Sequence, residues 1–460
     1  MKRRPLGFFD LALTAVAMTL SIRWIAAAAA AGPASLPLWG LAAAGFMAPL
    51  VLATADLTTR FEGEGGLYAW TRAALGPLPG FLCGWLYWTC NLPFFAGLIY
   101  FIVNTAAMAL GERAQAAVRD PAVFALAAAC LALVVGALHL AGLGTGKWLA
   151  NFGAAASCGL ILLLIAAATV LTVQSGPATN FARASFAPPL DADGAALWAI
   201  MVFAFGGPEA LAFLRDQVRG GVARILQVLA LVGVALVLAY AAGTAAILAI
   251  LPAGEVSRLA GAPEAIREAL GRLGLAAAAP AALVLLAAAM LGSYSAWFAV
   301  AAKLPLAIGA DRGFPAFFGR PSEKTGAPVA AILVQTAAVI VLVALGQAGA
   351  TVKAAYDFLI SMSVISYTLP FVFLFVVHVR LQGRARPAGA WATPGGAALG
   401  RIAGALGLAV TTSAILCTLV PSPDAADKAG AVIKLILASA ALIAAGFAVY
   451  ALGGRRAART

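Results

Sequence analysis

Charged side chains are scarce in this chain: Asp, Glu, Lys and Arg make up 10% of its 460 residues. Histidine occurs twice, at positions 139 and 378. No Ser–His–acid set, no metal-ligand spacing and no glycine-rich phosphate loop of the Walker pattern is present, which excludes the common enzyme classes and a nucleotide-driven pump. No cofactor is expected. The five cysteines (Cys83, Cys90, Cys130, Cys158, Cys417) stand apart inside apolar runs and read as small helix-packing residues, not disulfides or metal ligands. Long polar connecting segments are missing too, so no separate soluble domain is expected.

What is abundant is apolar surface. The chain is 63% hydrophobic, with a mean hydropathy of +0.98. Soluble globular proteins do not have that composition, so the apolar runs read as membrane spans of about 20 residues or more. Twelve are expected, at 8–31, 37–58, 78–110, 121–141, 148–173, 195–214, 225–251, 276–310, 326–346, 356–379, 398–421 and 429–452. The third and eighth are long enough to tilt or to carry an interfacial extension. The basic, apolar N-terminus could pass for a cleaved signal. Asp10 and Arg23 interrupt that run, and its length suits a first span.

The net charge of +12 invites a nucleic-acid reading. Its placement argues otherwise. With an even number of spans and both ends inside, about two thirds of the Lys and Arg fall on cytoplasmic segments, as the positive-inside bias requires. Lys2, Arg3 and Arg4 begin the chain, and Arg380, Arg384 and Arg386 follow the tenth span. The partners expected are a bilayer with anionic headgroups and a small molecule, with no nucleic acid. The expected location is the inner (cytoplasmic) membrane, and a homodimer is compatible with it.

Two spans are interrupted in comparable ways, five helices apart. The first reads Ala17-Met-Thr-Leu-Ser-Ile-Arg-Trp24, polar and charged at mid-span. The sixth reads Phe203-Ala-Phe-Gly-Gly-Pro-Glu-Ala-Leu-Ala-Phe213, running helix breakers into an acid. Lipid-facing helices cannot bear that combination: broken backbone is tolerated only inside protein or along a cavity. An intramembrane carboxylate marks a pathway, a relay or a binding site. Corresponding breaks point to an inverted-repeat transporter with a site near the midplane. The fold class expected is an all-α polytopic membrane protein of one domain, 1–460. Repeat one would span about 8–173, repeat two about 195–379, and two accessory helices about 398–452. Between spans two and three, Leu67, Trp70, Ala74 and Leu75 share a face opposite Arg72, as in a short amphipathic helix at the cytoplasmic interface.

Four motifs, in order over nearly the whole chain, carry a family resemblance. Glu64-Gly-Gly-Leu-Tyr-Ala-Trp70 with Gly76-Pro77 resembles the loop after the second helix of the amino acid–polyamine–organocation (APC) superfamily. Phe205-Gly-Gly-Pro-Glu209 resembles its sixth helix, and Ala310-Asp-Arg-Gly-Phe-Pro315 with Gly326-Ala-Pro328 the loop after its eighth. The stretch from Tyr356 to Pro370 is similar to its tenth. Ser21-Ile22-Arg23 departs from the usual Gly-Ser-Gly-type break and looks more like the glutamate:GABA antiporter branch, as does the run from Pro394 to Arg401. The resemblance implies a secondary active transporter of amino acids or related amines, working by alternating access as an exchanger or proton symporter. A sodium-coupled carrier of another organic solute, or a nontransporting sensor or accessory subunit, is the alternative.

An amino acid brings a carboxylate and an ammonium. Half-helix N-termini suit the first, and unwound carbonyls the second. The resemblance implies that the break around Thr19, Ser21, Ile22 and Arg23 holds the carboxylate. It implies that Phe203, Ala204 and Phe205 offer carbonyls to the ammonium, with the Phe203 ring closing over the substrate. Gly206, Gly207 and Glu209 would gate or couple, since a buried carboxyl's charge depends on its surroundings; a structural acid tying helices together is the plainer reading. Arg23 fits three roles: binding an acidic substrate group, pairing with Glu209, or snorkelling to an aqueous vestibule. Tyr87, Trp88 and Asn91 are candidates to line the cavity from span three, and Trp297 near Tyr294 to gate it from span eight. Ser293 and Ser295 would suit a sodium site between helices one and eight. A coupling lysine within span five is absent, since Lys147 falls near its start. His139 and His378 are expected at helix ends, near the interface.

Overall fold

A computed structural model describes residues 7–61, 66–189, 191–310, 314–347, 352–420 and 428–457. Within them lie twelve helical spans: Phe8–Ala29, Ser35–Arg60, Pro77–Leu110, Pro121–Leu140, Trp148–Ser175, Ala192–Phe213, Gly221–Ile250, Ala276–Gly309, Val329–Gly346, Ala355–Leu381, Gly396–Thr418 and Val432–Leu452. The described residues contain helices and turns and no strand, as backbone surrounded by hydrocarbon requires. Two parts of the sequence motifs, 62–65 and 311–313, lie outside the described residues, as does the Lys147 side chain.

Spans one and six form the centre. In the sixth, 89% of the most apolar stretch is buried against protein, and in the twelfth only 17%. That contrast fits a central pair of broken helices and a peripheral last span. Spans five and eight cross nearby at two glycines: a Cβ on Gly153 would stand 2.7 Å from the Cα of Gly292. Only hydrogen at both positions permits that approach.

Span three runs as Pro77–Thr89 and then Asn91–Leu110, with a turn at Cys90. Pro93 has no N–H to return to the Thr89 carbonyl. In the same turn the Asn91 side-chain amide donates to the Tyr87 carbonyl at 2.7 Å.

Three expectations need correction. The helix Gly66–Leu75 buries Leu67 and Trp70 against protein (spans three and ten), so its apolar face does not rest on lipid. His139 is buried between spans four and eight, with Nδ1 2.9 Å from the Val135 carbonyl and Nε2 3.1 Å from the Ser295 carbonyl. His378 is also buried, its Nδ1 3.2 Å from Asp56 Oδ2. A helix end in sequence is not a surface when neighbouring spans overhang it.

Candidate functional site

Both expected breaks are present. Span one divides into Phe8–Thr19 and Ile22–Ala29, with Leu20 and Ser21 extended between them. No glycine or proline causes this break. Thr, Ser and Ile have modest helix propensity, and Ser suits the position before a helix start. The freed carbonyls are then taken up by distant side chains. Trp297 Nε1 donates to the Met18 carbonyl at 2.6 Å, and the Tyr240 hydroxyl donates to the Thr19 carbonyl at 2.6 Å.

Span six is α-helical over Ala192–Ala204 and resumes at Pro208 as a tighter 3-10 helix. Gly207 has a φ of 124°, and a Cβ there would lie 2.5 Å from Thr19 Cγ2. A Cβ on Gly206 would run into the Tyr367 ring. The Gly-Gly pair therefore permits both a left-handed φ and the close approach of the two breaks.

Between the breaks is a pocket with about 410 Å³ of empty volume, open solvent included. Span one supplies Met18, Thr19, Ser21 and Trp24 to its wall, and span six Phe203, Ala204 and Gly206. Cys90, Asn91, Phe94, Ser293, Trp297 and Tyr367 complete it. The Phe203 ring meets Trp24 edge-on at 5.2 Å and Tyr367 at 5.0 Å. The structure thus brings Thr19, Ser21, Asn91, Phe203, Ala204, Gly206 and Trp297 to one space.

Other expected residues lie off that wall. The Phe205 side chain is fully buried and turned toward Trp39 and Tyr240, at 5.4 and 5.6 Å. Ile22 is buried within the second half of span one. Trp88 donates to Gln335 Oε1 at 2.9 Å, away from the cavity. Tyr294 stacks on Phe298 at 5.6 Å. Ser295 Oγ is 3.3 Å from His139 Nε2, so only Ser293 of the serine pair faces the cavity.

Glu209 is fully buried behind Tyr367. Its Oε1 accepts from the Tyr87 hydroxyl at 2.7 Å and the Tyr367 hydroxyl at 2.6 Å. Its Oε2 accepts from the Gly207 N–H at 2.9 Å. Among the described residues, hydrogen-bond donors and no cation hold this carboxyl, so in this conformation it does not pair with Arg23.

Arg23 is 0% exposed, which rules out snorkelling in this conformation. Its guanidinium lies 4.6 Å from the Trp24 ring centroid and 5.2 Å from that of Phe94. Both rings line the cavity, so the cation sits behind an aromatic wall and not in it. Nε donates to Ser21 Oγ at 3.4 Å. Among the described residues, neither terminal nitrogen makes a well-formed hydrogen bond, although the Tyr356 phenol is close enough to interact with the charge. The cavity thus has a guanidinium behind Trp24 and Phe94, and a carboxyl behind Tyr367.

Two tyrosines escaped the sequence reading. Tyr367 appeared only as part of a tenth-helix motif, and Tyr240 not at all. The signal was available, because a phenol within an apolar span needs a partner for its hydroxyl. Nothing local could say which partner: Tyr240 and Thr19 are 221 residues apart.

The family described as "Amino acid permease" matches residues 6–447. An uncharacterized transporter of Legionella pneumophila is 23% identical over 91% of this chain and 90% of its own. A putative arginine/ornithine antiporter of Escherichia coli is 24% identical over 79% of each chain. Among solved structures, that of MhsT in complex with L-phenylalanine superposes with a TM-score of 0.61 at 14% identity, covering 95% of this chain and 100% of the other.

Proposed function

The chain belongs to the amino acid permease family, and from that premise we propose a carrier of amino acids or closely related amines that works by alternating access. As a family member it is a multi-pass membrane transporter and not an enzyme. The observation that carries the substrate reading is the cavity where two helix breaks meet. The start of Ile22–Ala29 presents backbone N–H groups and a positive dipole end suited to a carboxylate. Carbonyls around Phe203 and Ala204 suit an ammonium. Exchange or proton symport is the coupling mode, with Glu209 as the switch and Phe203 and Trp297 as the closing rings. Ser21-Ile22-Arg23 supports placement with the glutamate:GABA antiporter branch. The charge asymmetry supports an inner-membrane protein with both termini cytoplasmic, and the paired breaks support repeats of about 8–173 and 195–379.

The test is a thermal-shift screen of the purified protein against amino acids, polyamines and nucleobases, followed by flux of each hit in proteoliposomes. A ligand that binds only the folded state raises its stability by mass action. Amino-acid hits that are also transported are the expected result. Hits confined to nucleobases overturn the substrate class, and binding without flux overturns the transporter reading.

Arg23 argues against dibasic substrates such as those named for the Escherichia coli relative. A buried cation one aromatic ring from the cavity repels a second positive charge by about 1–2 kcal/mol at an effective dielectric near that of protein surfaces. Arg23→Ala is therefore expected to improve the affinity for lysine, arginine or putrescine about tenfold, read as KM in competition uptake. Unchanged affinity for every substrate would remove Arg23 from specificity.

A further inference from the structure

The cavity wall has given away most of its side-chain donors. Thr19 Oγ1 donates to the Ala15 carbonyl at 2.7 Å, and Cys90 Sγ to the Tyr87 carbonyl at 3.1 Å. The Trp297 indole is committed to the Met18 carbonyl and the Tyr367 phenol to Glu209, both at 2.6 Å. A hydroxyl whose proton is spent still has lone pairs, so Thr19 and Tyr367 meet a ligand as acceptors.

Asn91 goes furthest in this direction. Its Nδ2 donates to the Tyr87 carbonyl at 2.7 Å and to the Trp88 carbonyl at 3.4 Å, which uses both amide protons. Carbonyls accept and never donate, so the amide cannot be turned end for end. Oδ1 receives no hydrogen bond from the described residues, and it is not sealed in protein as Asn151 Oδ1 is. On a residue of the cavity wall, that leaves it facing the open space. Span three contributes to neither break, so this acceptor stands apart from the backbone groups suited to a carboxylate and an ammonium.

We propose that Asn91 Oδ1 selects neutral amino acids whose side chain carries a hydrogen-bond donor, a hydroxyl or a carboxamide. This rests on the amino-acid reading above and names the substrate class within it. Acceptors alone would suit a second ammonium equally well. The Arg23 guanidinium behind Trp24 and Phe94 opposes that charge, and the Glu209 carboxyl is already served by two phenols and the Gly207 N–H. A neutral donor satisfies Oδ1 without meeting the repulsion. An apolar side chain strips water from Oδ1 and gives nothing back, which a site built around a hydrogen bond penalises heavily. Asn91 is thus a specificity-determining residue.

Titrated thermal shifts of the purified full-length protein compare two pairs of nearly equal shape, threonine with valine and asparagine with leucine. Wild type is expected to bind threonine and asparagine about tenfold or more tighter than their apolar partners. In Asn91→Leu that preference should vanish, with threonine and asparagine weakened about tenfold more than alanine is. A wild type that binds valine and leucine as tightly overturns the proposal, and so does a variant that keeps the wild-type preference. Equal weakening of alanine and threonine also overturns it, because Oδ1 then serves the α-ammonium common to both. If Asn91→Leu does not fold, Asn91→Ala makes the same comparison with a truncated side chain. Binding of no amino acid at all is a failure of the substrate reading, whereas a wrong order among those that bind fails this proposal alone.

Discussion

Glu209→Gln is expected to give a folded protein whose flux no longer responds to pH. The substitution keeps an acceptor for the two phenols that now donate to Oε1 at 2.7 and 2.6 Å. It puts an amide NH₂ where Oε2 accepts from Gly207, so one buried N–H loses its partner. That loss costs about 1–3 kcal/mol, enough to lower the melting temperature without unfolding the protein. The effect on transport should be larger in kind. A gating carboxyl works only if the two end states hold its proton differently, and a difference of one pKa unit corresponds to about tenfold in the equilibrium between them. Flux in proteoliposomes should therefore fall about tenfold or more and become flat between acidic and neutral pH. A variant with the wild-type rate and pH profile would reduce Glu209 to a structural acid joining spans three, six and ten.

Asp56→Ala should cause the largest loss of stability. Asp56 is fully buried, with Arg60 Nε at 2.9 Å, Gln382 Nε2 at 2.7 Å, His378 Nδ1 at 3.2 Å and Arg386 Nη2 at 3.5 Å. One carboxylate thus serves two arginines, a histidine and an amide, and it joins span two to span ten and the segment after it. Removing one partner of a buried pair leaves uncompensated charge and costs about 3–5 kcal/mol. Asp56→Asn should retain much of the hydrogen bonding but not the charge, and should fall between Asp56→Ala and wild type. Melting temperature in detergent, with yield of monodisperse protein, checks the order. If all three proteins melt together, solvent reaches the arginines and the network is not a fastener.

The breaks were legible for two different reasons. Gly206, Gly207 and Pro208 are helix breakers and announce one, and the polar and charged residues from Thr19 to Arg23, set in mid-span, mark the other. Glu209 was legible as a lone acid among apolar neighbours. The partners were not, since Tyr87, Tyr240, Tyr367 and Asp56 acquire their roles from helices far away in sequence. Arg23 shows the limit most clearly. Sequence placed it in the right turn of the right helix, but only the packing of Trp24 and Phe94 set its charge behind the cavity wall. The histidines misled for a related reason, because position along a span says nothing about which neighbours cover its end.

The contact of Gly153 with Gly292 has a mechanical consequence. Two backbones that touch have no side chain between them to deform, so the crossing acts as a fulcrum: span eight can tilt there far more readily than it can slide. Trp297 lies five residues along the lever, about 7.5 Å at helical rise. A tilt of about 10° would displace it by about 1.3 Å over that arm. That is enough to part the indole from the Met18 carbonyl it now holds at 2.6 Å. The far end of the same span, at Gly309, would swing about 4 Å. A pair of hydrogens at one crossing can thus gear a small movement at the cavity to a larger one at the end of the helix.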